Sequence, residues 1–387
     1  MRVWETVQQL NEYITSNGKR LRCGYTTGTC AAAAARAATE LLLANTFVPA
    51  VTVETPVGLD VVVDIEEHTS GDGWAECAVR KDAGDDPDVT DSTLVFVRVS
   101  LSETPGITID GGVGVGRVTK PGLDQPVGEA AINSVPRAMI AQQVQEAIDA
   151  WGCSQGLAVV VSIPAGSELA AHTFNPKLGI EGGISVLGTS GIVKPMSEDA
   201  LISSIELELK VLREAGVKDL LVVPGNYGRH FAEGNLQLSL EHAVQCSNYL
   251  GDTIDAARIL GYSSMLVVGH LGKMVKVAGG IMNTHSRVAD CRMEVLAAHA
   301  GLAGASQDCI ARIMEAATTD AALDVLIAAG LCEATMTTLV AAVAKHLTER
   351  AGNTLRTEVI VFSNIHGLLG LSPGAQELAR AFALQER

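Results

Sequence analysis

Short apolar runs alternate with longer amphipathic segments in the second half of the chain, and this alternation limits the fold more than any other feature. The runs lie at residues 184–187, 220–223, 265–268 and 359–362. Strands of this length, separated by helical segments, are typical of a parallel sheet with helices on both faces. The sequence therefore predicts a Rossmann-like α/β/α domain over residues 173–387.

Residues 289–350 form an alanine-rich stretch within this half. Apolar side chains recur there at helical spacing, so we predict helices throughout. Breaks are predicted near residues 301–304 and 329–330, where glycines interrupt the pattern.

Strand-like runs follow one another in the first half, separated by Gly-, Asp- and Pro-containing breaks. This succession predicts a mainly antiparallel sheet in an N-terminal α+β domain, residues 1–172. We predict a short helix and a lead-in over residues 1–22, an alanine-rich helix over 30–44 and a second helix over 128–151. The predicted strands are residues 51–54, 57–65, 74–80, 94–100, 107–109 and 157–163.

Bulk properties narrow the class of protein. A length of 387 residues with 47% hydrophobic content is enough for two domains. A formal net charge of −16, without any Lys/Arg-rich run, argues against a nucleic-acid partner. No segment approaches the roughly 20 apolar residues that span a bilayer, so we expect a cytoplasmic protein without a membrane partner. Eight scattered cysteines without a CxxC pair indicate free thiols, and we expect no metal site.

The first candidate motif is a turn before the alanine-rich helix. It contains Thr26, Thr27, Gly28 and Thr29. Hydroxyls and backbone N–H groups at a helix N-terminus can hold a carboxylate or a phosphate. Ordinary helix capping is the alternative, and it is the commoner explanation for a single turn of this kind.

The second candidate is an acidic loop with four carboxylates, those of Asp82, Asp85, Asp86 and Asp88. Clustered carboxylates can bind a hard cation, hold ribose hydroxyls, or act as a base when repulsion raises one pKa. The spacing differs from that of an EF-hand loop, and a solvated acidic loop is the commoner alternative.

The third candidate is the glycine-rich segment 111–122. A dinucleotide fingerprint needs GxGxxG between a strand and a helix, whereas Pro121 and Gly122 break any helix here. The segment can instead let the backbone approach a flat ligand while Arg117 and Lys120 meet carboxylates.

Polar and glycine-containing segments directly follow three of the apolar runs. Loops after parallel strands line the ligand crevice of open α/β sheets, so these segments are candidates for a ligand site. A flexible connector is the alternative for the first segment, and a structural histidine is the alternative for the third. The residues concerned are Gly188, Thr189 and Ser190, then Gly225 and Asn226, then His270, Lys273 and Lys276.

Together these segments resemble the cobalt-precorrin-5B C(1)-methyltransferases of the anaerobic cobalamin pathway, the CbiD family. The resemblance extends over residues 20–370, and the motifs occur in the family's order. The similar segments are residues 24–35, 82–90, 111–122, 128–133, 175–195 and 269–276, together with Pro136 and Arg137.

The resemblance implies methyl transfer from S-adenosylmethionine, as co-substrate, to carbon 1 of cobalt-precorrin-5B, an anionic tetrapyrrole that yields cobalt-precorrin-6A. Cobalt would arrive within this substrate, so the protein needs no metal of its own. The resemblance also implies a two-domain fold, and the sequence leaves open whether the chain forms a homo-oligomer.

Residue roles are inferred from chemistry. We expect His270, Asp85 and Asp86 to position reactants or move a proton. The substrate carboxylates need cationic partners. The candidates are Arg117, Lys120, Arg137, Lys177, Lys194, Lys273 and Lys276. The candidates for binding the methyl donor are Thr26, Thr27, Gly28, Thr29, Gly188, Thr189, Ser190, Gly225 and Asn226.

Two alternatives come from other functional classes. A nucleotide-dependent oxidoreductase would use the Rossmann-like half, and the absorbance of a bound cofactor would reveal it. A non-catalytic carrier would bind the corrinoid and leave S-adenosylmethionine unchanged.

Overall fold

The computed structural model describes residues 10–16 and 18–384, which form two compact units of mixed α/β structure. The first unit ends at Glu198 and the second begins at Asp199. Mixed helix and sheet in both halves agrees with the prediction from sequence.

The first unit is built mainly of strands. Its strands are β1 (Tyr13–Ser16), β2 (Lys19–Arg22), β3 (Gly24–Tyr25), β4 (Ala50–Glu54), β5 (Asp60–Asp64), β6 (Glu67–Gly71), β7 (Trp74–Arg80), β8 (Leu94–Ser102), β9 (Ile107–Gly111), β10 (Gly114–Val115), β11 (Arg117–Val118), β12 (Gly156–Ser162), β13 (Ile180–Glu181), β14 (Gly183–Ile184) and β15 (Ile192–Val193). Its helices are α1 (Thr27–Ala44), α2 (Ser134–Trp151), α3 (Gly166–Leu169) and α4 (Asn175–Leu178), with a 3₁₀ turn at Ala170–His172.

The central sheet of this unit has the strand order β6-β7-β8-β12-β9. Neighbouring strands are antiparallel except β12 and β9, which are parallel. Alternate residues of β7 and β12, and of β8 from Val95 to Val99, are buried, because successive side chains of a strand point to opposite faces. Helix α1 packs on this sheet and on α2. Alanines line its contact surface, and their small side chains let the backbones approach closely.

Residues 180–193 pair with strands of the first unit. β14 pairs with β10, β13 with β11 and β15 with β3. Glycines make these contacts close: a Cβ atom added to Gly183 would lie 2.2 Å from the carbonyl oxygen of Gly114. The prediction that residues 184–187 belong to the parallel sheet is therefore wrong, and the division between the units lies after residue 198 and not after residue 172.

The prediction of a helix within residues 1–22 is wrong for the part of this segment that the structure describes. β1 and β2 form an antiparallel hairpin, and Gly18 in its turn has a φ of +73°. Such a left-handed conformation suits a tight turn and favours glycine. Residues 1–9 lie outside the described residues.

Helix α2 begins at Ser134, later than the pattern predicts. Residues 127–133 form a turn and two isolated bridges, Ala130 with Arg117 and Ile132 with Val186. The N–H of Ala131 donates to the carbonyl oxygen of Gly116 over 2.8 Å. The buried apolar residues at 130–132 therefore lie in a loop before the helix. Their apolar character resembles the start of a helix, which explains why the predicted helix begins too early.

The second unit alternates strands with helices. Its strands are β16 (Asp219–Val222), β17 (Ala243–Val244), β18 (Ser264–His270), β19 (Arg356–Ser363) and β20 (Gly367–Leu371). Its helices are α5 (Glu198–Glu214), α6 (Asn226–Gly234), α7 (Leu250–Ile259), α8 (Leu271–Ala278), α9 (Arg292–Leu302), α10 (Gln307–Met314), α11 (Thr319–Ala328), α12 (Cys332–Ala351) and α13 (Ala375–Ala379), with a 3₁₀ turn at Arg380–Phe382.

The sheet of this unit has the order β17-β16-β18-β19-β20, with β20 antiparallel and the other pairs parallel. Alternate residues of its strands enter two separate cores. Val222, Val267 and Val361 pack with α5, α7, α8 and α12. Val268 and Phe362 belong to the other core, with α6 and α13. Helices therefore cover both faces, which explains the continuous apolar runs in the sequence.

Helices α9 to α12 occupy the stretch that the sequence predicts as helical, and the predicted breaks are confirmed. A further break separates α10 from α11. Thr318 caps the start of α11, and its side-chain oxygen accepts a hydrogen bond from the N–H of Ala321 over 3.1 Å.

We predict that Gly114→Ala destabilises the protein more than Gly182→Ala. Both glycines have positive φ, +72° and +81°, so both substitutions carry a left-handed strain of about 1–2 kcal/mol. The Cβ at position 114 would also lie 1.8 Å from the carbonyl oxygen of Ile163, whereas nothing lies within 4 Å at position 182. Overpacking should add about 1–3 kcal/mol at position 114. Urea unfolding measures both, and equal losses would contradict the backbone contact described above.

Candidate functional site

The carboxyl ends of β16 and β18 are adjacent in the parallel sheet of the second unit. The chain leaves β16 for β17 on one side and returns to β18 on the other, so the strand order reverses between them. Loops diverge at such a reversal and open a crevice, where ligands of open α/β sheets bind. We name this region the carboxyl-edge site; it consists of Gly225, Asn226, Tyr227, His270 and Lys273.

Glycines allow helix α6 to begin close to the end of β18. Gly225 precedes the helix with a φ of +109°, a conformation that residues with a side chain rarely adopt. A Cβ atom on Gly225 would lie 3.7 Å from Nζ of Lys273. A Cβ atom on Gly228 would lie 2.7 Å from the carbonyl oxygen of Val268. The partial positive charge of the helix N-terminus therefore faces this edge of the sheet.

His270 ends β18 and caps helix α8. Its Nδ1 atom accepts a hydrogen bond from the N–H of Gly272 over 3.1 Å. A ring nitrogen that accepts carries no proton, so the neutral ring holds its proton on Nε2. Burial lowers the pKa of His270, and the charge of Asp320 opposes this shift in part. The site therefore presents a neutral imidazole with an Nε2–H donor near pH 7.

Two lysines of α8 are held by backbone carbonyls. Nζ of Lys273 donates to the oxygen of Ser247 over 2.8 Å, and Nζ of Lys276 to that of Thr284 over 3.1 Å. Burial lowers the pKa of both side chains. Lys276 is only 3% exposed and anchors a loop. Lys273 is half-buried beside Gly225, and an ammonium group has three donors, so it can also bind an anionic ligand.

Asp320 and Ser363 lie near this edge and are absent from the residues inferred from sequence. Oγ of Ser363 donates to Oδ1 of Asp320 over 2.5 Å and accepts from the N–H of His366 over 3.1 Å. Ser363 ends β19, so the rule that selects polar residues after apolar runs would have found it. Asp320 lies at the start of α11, far from any such run, and only the fold brings it close to His270.

The threonine turn and the loop at 187–191 come together in the first unit. Oγ of Thr27 donates to the carbonyl oxygen of Leu187 over 3.2 Å, and Oγ of Thr29 to that of Gly191 over 2.7 Å. The side chain of Thr26 caps α1 by accepting from the N–H of Thr29 over 3.3 Å. All three threonines are buried. Their hydroxyls hold two segments of the chain together, and donor binding there stays a prediction.

The neighbouring predicted residues have close contacts of their own. A Cβ atom on Gly188 would lie 2.3 Å from Oγ1 of Thr26, and one on Gly28 would lie 2.9 Å from Cγ of Pro136. Ser190 donates from Oγ to the carbonyl oxygen of Ile192 over 2.8 Å. Thr189 is exposed. Tight packing therefore explains both glycines.

Carboxylates of the acidic loop accept hydrogen bonds from the first unit itself. Oδ2 of Asp85 accepts from the N–H of Arg22 over 2.6 Å, and Oδ1 of Asp86 from the N–H of Met196 over 2.8 Å. The guanidinium of Arg22 binds Asp82 over 2.6 and 2.7 Å. Burial raises the pKa of Asp82, but these hydrogen bonds outweigh it and hold the pKa below its ordinary value.

Asp88 completes the loop by pairing with Lys81, a residue that is 3% exposed. It also accepts from Oγ of Thr90 over 2.7 Å. These bonds give the acidic loop a structural role. Asp85 and Asp86 belong to the first unit and His270 to the second, and their catalytic roles stay predictions.

Of the predicted substrate-binding cations in the first unit, the two arginines bind oxygen atoms of the protein and the three lysines are exposed. Arg117 pairs with Asp110 over 2.7 and 2.9 Å, which holds the pKa of Asp110 low. Arg137 donates to the carbonyl oxygens of Ile132 and Ile109 over 2.9 and 2.7 Å. The exposed cations are Lys120, Lys177 and Lys194.

The glycine-rich segment 111–122 contains the short strands β10 and β11 and no helix. It therefore lacks the helix that a dinucleotide fingerprint requires. The eight cysteines are free thiols. Within the described residues, no group of three His, Cys, Asp or Glu side chains has the arrangement of a metal site. No helix in that same part of the chain is long and apolar enough to cross a membrane.

The fold and the candidate site define a two-unit α/β protein whose second unit carries glycines, a histidine and a lysine at the carboxyl edge of a parallel sheet. Residues 14–195 match the family model CbiD, and residues 283–373 match the model CbiD, C-terminal domain. The chain belongs to the CbiD family, which confirms the resemblance seen in the sequence.

Named relatives cover nearly the whole chain. A cobalt-precorrin-5B C(1)-methyltransferase of Ruminiclostridium cellulolyticum is 48% identical over 92% of this chain and 93% of its own. The protein of the same name from Alkaliphilus metalliredigens is 43% identical over 93% and 94%. A crystal structure of the cobalamin biosynthesis protein (cbiD) from Archaeoglobus fulgidus is 29% identical and covers 71% of this chain and 86% of that chain, with a TM-score of 0.39.

We predict that His270 makes the protein less stable in acid. Its folded pKa lies below the ordinary value of 6.5, so its contribution to stability is present above that pH and is lost as the pH falls through the folded pKa. Protonation of Nδ1 removes the cap on Gly272. The variant His270→Asn can cap the helix and does not titrate. Unfolding free energies measured between about pH 7.5 and about pH 5 should therefore fall more steeply for wild type. Parallel pH profiles would contradict the cap.

Proposed function

We propose that the chain transfers a methyl group from S-adenosylmethionine to carbon 1 of cobalt-precorrin-5B, giving cobalt-precorrin-6A and S-adenosylhomocysteine. The observation that carries this proposal is the 48% identity over 92% of the chain to a protein named for this activity. Cobalt enters as part of the substrate and is not a cofactor of the protein.

The proposed reaction is one direct displacement. The bond from sulfur to the methyl carbon breaks and leaves its electron pair on sulfur, so the sulfonium becomes a thioether. An electron pair of the macrocycle forms the new bond from carbon to carbon. Because the sulfonium methyl is already a strong electrophile, the protein mainly aligns the two reactants and excludes water. A methylated protein intermediate would add a step without lowering the main barrier.

We place the methyl donor at the carboxyl-edge site. Nucleotides bind where the strand order of an open α/β sheet reverses, and the donor shares with them the adenosine nucleoside. The start of α6 and the ammonium group of Lys273 suit the donor's carboxylate. Lys273, a sequence candidate for binding the substrate carboxylates, is therefore proposed to bind the donor instead. The four parallel strands with helices on both faces support the view that the second unit is Rossmann-like.

His270 is proposed to act from the same site. Its neutral ring can donate from Nε2 or take up a proton after the cap on Gly272 is released. Either action positions a reactant or moves a proton, and neither forms a bond to the methyl group. Burial keeps the ring neutral near pH 7, which suits both roles.

The tetrapyrrole substrate is proposed to meet exposed cations. Its carboxylates need charged hydrogen-bond donors, and Lys120, Lys177 and Lys194 are exposed. Arg117 is paired with Asp110, so a substrate carboxylate would have to share or replace that partner. A protein of net charge −16 repels an anionic ligand at long range, and the local cations would offset this repulsion where the substrate binds.

We predict that the purified chain converts cobalt-precorrin-5B in the presence of S-adenosylmethionine labelled with ¹³C in its methyl group. Mass spectrometry should find a single labelled methyl group on the macrocycle and an equal amount of S-adenosylhomocysteine. A reaction with unlabelled donor is the matched control for the mass shift. Binding of both ligands without transfer would reject the enzyme and favour the corrinoid carrier.

A further inference from the structure

A row of aromatic rings leads from the core of the second unit to the carboxyl-edge site. Phe231 and Phe362 are stacked, with centroids 4.0 Å apart and planes 8° apart. His270 meets Phe362 edge-on at 5.5 Å and 88°. Tyr227 lies beyond His270, with centroids 5.9 Å apart and planes tilted by 44°. The row therefore fixes the histidine ring between a buried phenylalanine and the tyrosine.

Tyr227 is the exposed end of this row. Its side chain is 63% exposed, while Phe231 and Phe362 are 7% and 0% exposed. Tyr227 is the second residue of α6, two positions after Gly225, whose φ of +109° sets the entry into the helix. The ring is thus held at the start of a helix whose position is set by Gly228 against β18. An exposed aromatic face beside the carboxyl ends of parallel strands is a stacking surface for a flat ring.

We propose that Tyr227 stacks on the adenine ring of the methyl donor, while Lys273 binds its carboxylate. This inference rests on the proposed function, because it names how the donor is recognised at the same site. A single exposed ring and an ammonium group match a ligand with one flat base and one carboxylate. The tetrapyrrole carries several carboxylates and would require several cations around it.

Two ligands separate the two contacts. S-adenosylhomocysteine carries both the adenine ring and the carboxylate, whereas 5′-methylthioadenosine carries the ring without the carboxylate. Calorimetry on the full chain should show that Tyr227→Leu weakens both ligands by the same factor, roughly 5- to 100-fold for one stacked base. Lys273→Gln should weaken S-adenosylhomocysteine and leave 5′-methylthioadenosine unchanged, which also shows that this variant is folded.

Tyr227→Phe is the matched control and should bind both ligands like wild type, because it keeps the ring. Tyr227→Gln replaces the leucine variant if the latter does not fold. Unchanged affinity for both ligands in the variant without a ring would overturn the proposal. Loss of affinity for the cobalt corrinoid alone would overturn it too, since the ring would then contact the macrocycle.

Failure of this inference differs from failure of the proposed function. If the wild-type protein transfers methyl groups but Tyr227→Leu leaves the ligand affinities unchanged, the stacking contact is rejected and the proposed function stands. If the wild-type protein binds both adenosine ligands as described but transfers no methyl group, the proposed function is rejected and the stacking contact stands.

Discussion

The parallel pairing of β16, β18 and β19 is the constraint on which the second unit depends. Parallel strands must bury both faces, so helices cover the sheet on each side, and these three strands end at the same edge. His270 and Ser363 end β18 and β19, and Gly225 follows β16, because of that pairing. The chemistry of the carboxyl-edge site is thus a consequence of strand direction. A change that tilts β18 would displace the helix cap, the aromatic row and Lys273 together.

The first unit depends on backbone contacts that only glycine permits. A Cβ atom on Gly24 would lie 2.3 Å from the carbonyl oxygen of Asp82, and one on Gly84 would lie 2.3 Å from that of Arg22. The acidic loop is therefore fastened against the residues that lead into α1. Its carboxylates neutralise Arg22 and Lys81 and cap backbone N–H groups. The acidic loop therefore has a structural role, and the catalytic roles of Asp85 and Asp86 stay predictions.

Periodicity predicted the elements that bury apolar side chains. Strands β7, β8, β12 and β18 and helices α9 to α12 follow from it, because their apolar residues repeat at the strand or helix period. Strand β6 was missed because all five of its residues are exposed and polar or glycine. Periodicity assigns the apolar run at 184–187 to the wrong sheet, because its pairing with β10 depends on close glycine contacts that the apolar pattern does not reveal. At the site, His270 and Gly225 were found from strand ends, whereas Asp320 needed the fold.

We have proposed that the methyl donor binds at the carboxyl edge of the second unit. Hydrogen–deuterium exchange with and without S-adenosylhomocysteine tests it most directly. The first N–H groups of a helix have no partner within the helix and exchange quickly when no ligand covers them. We expect slower exchange at residues 225–230 and 270–276 when the ligand is bound. Protection confined to residues 24–35 and 187–191 would contradict it and would place the donor in the first unit.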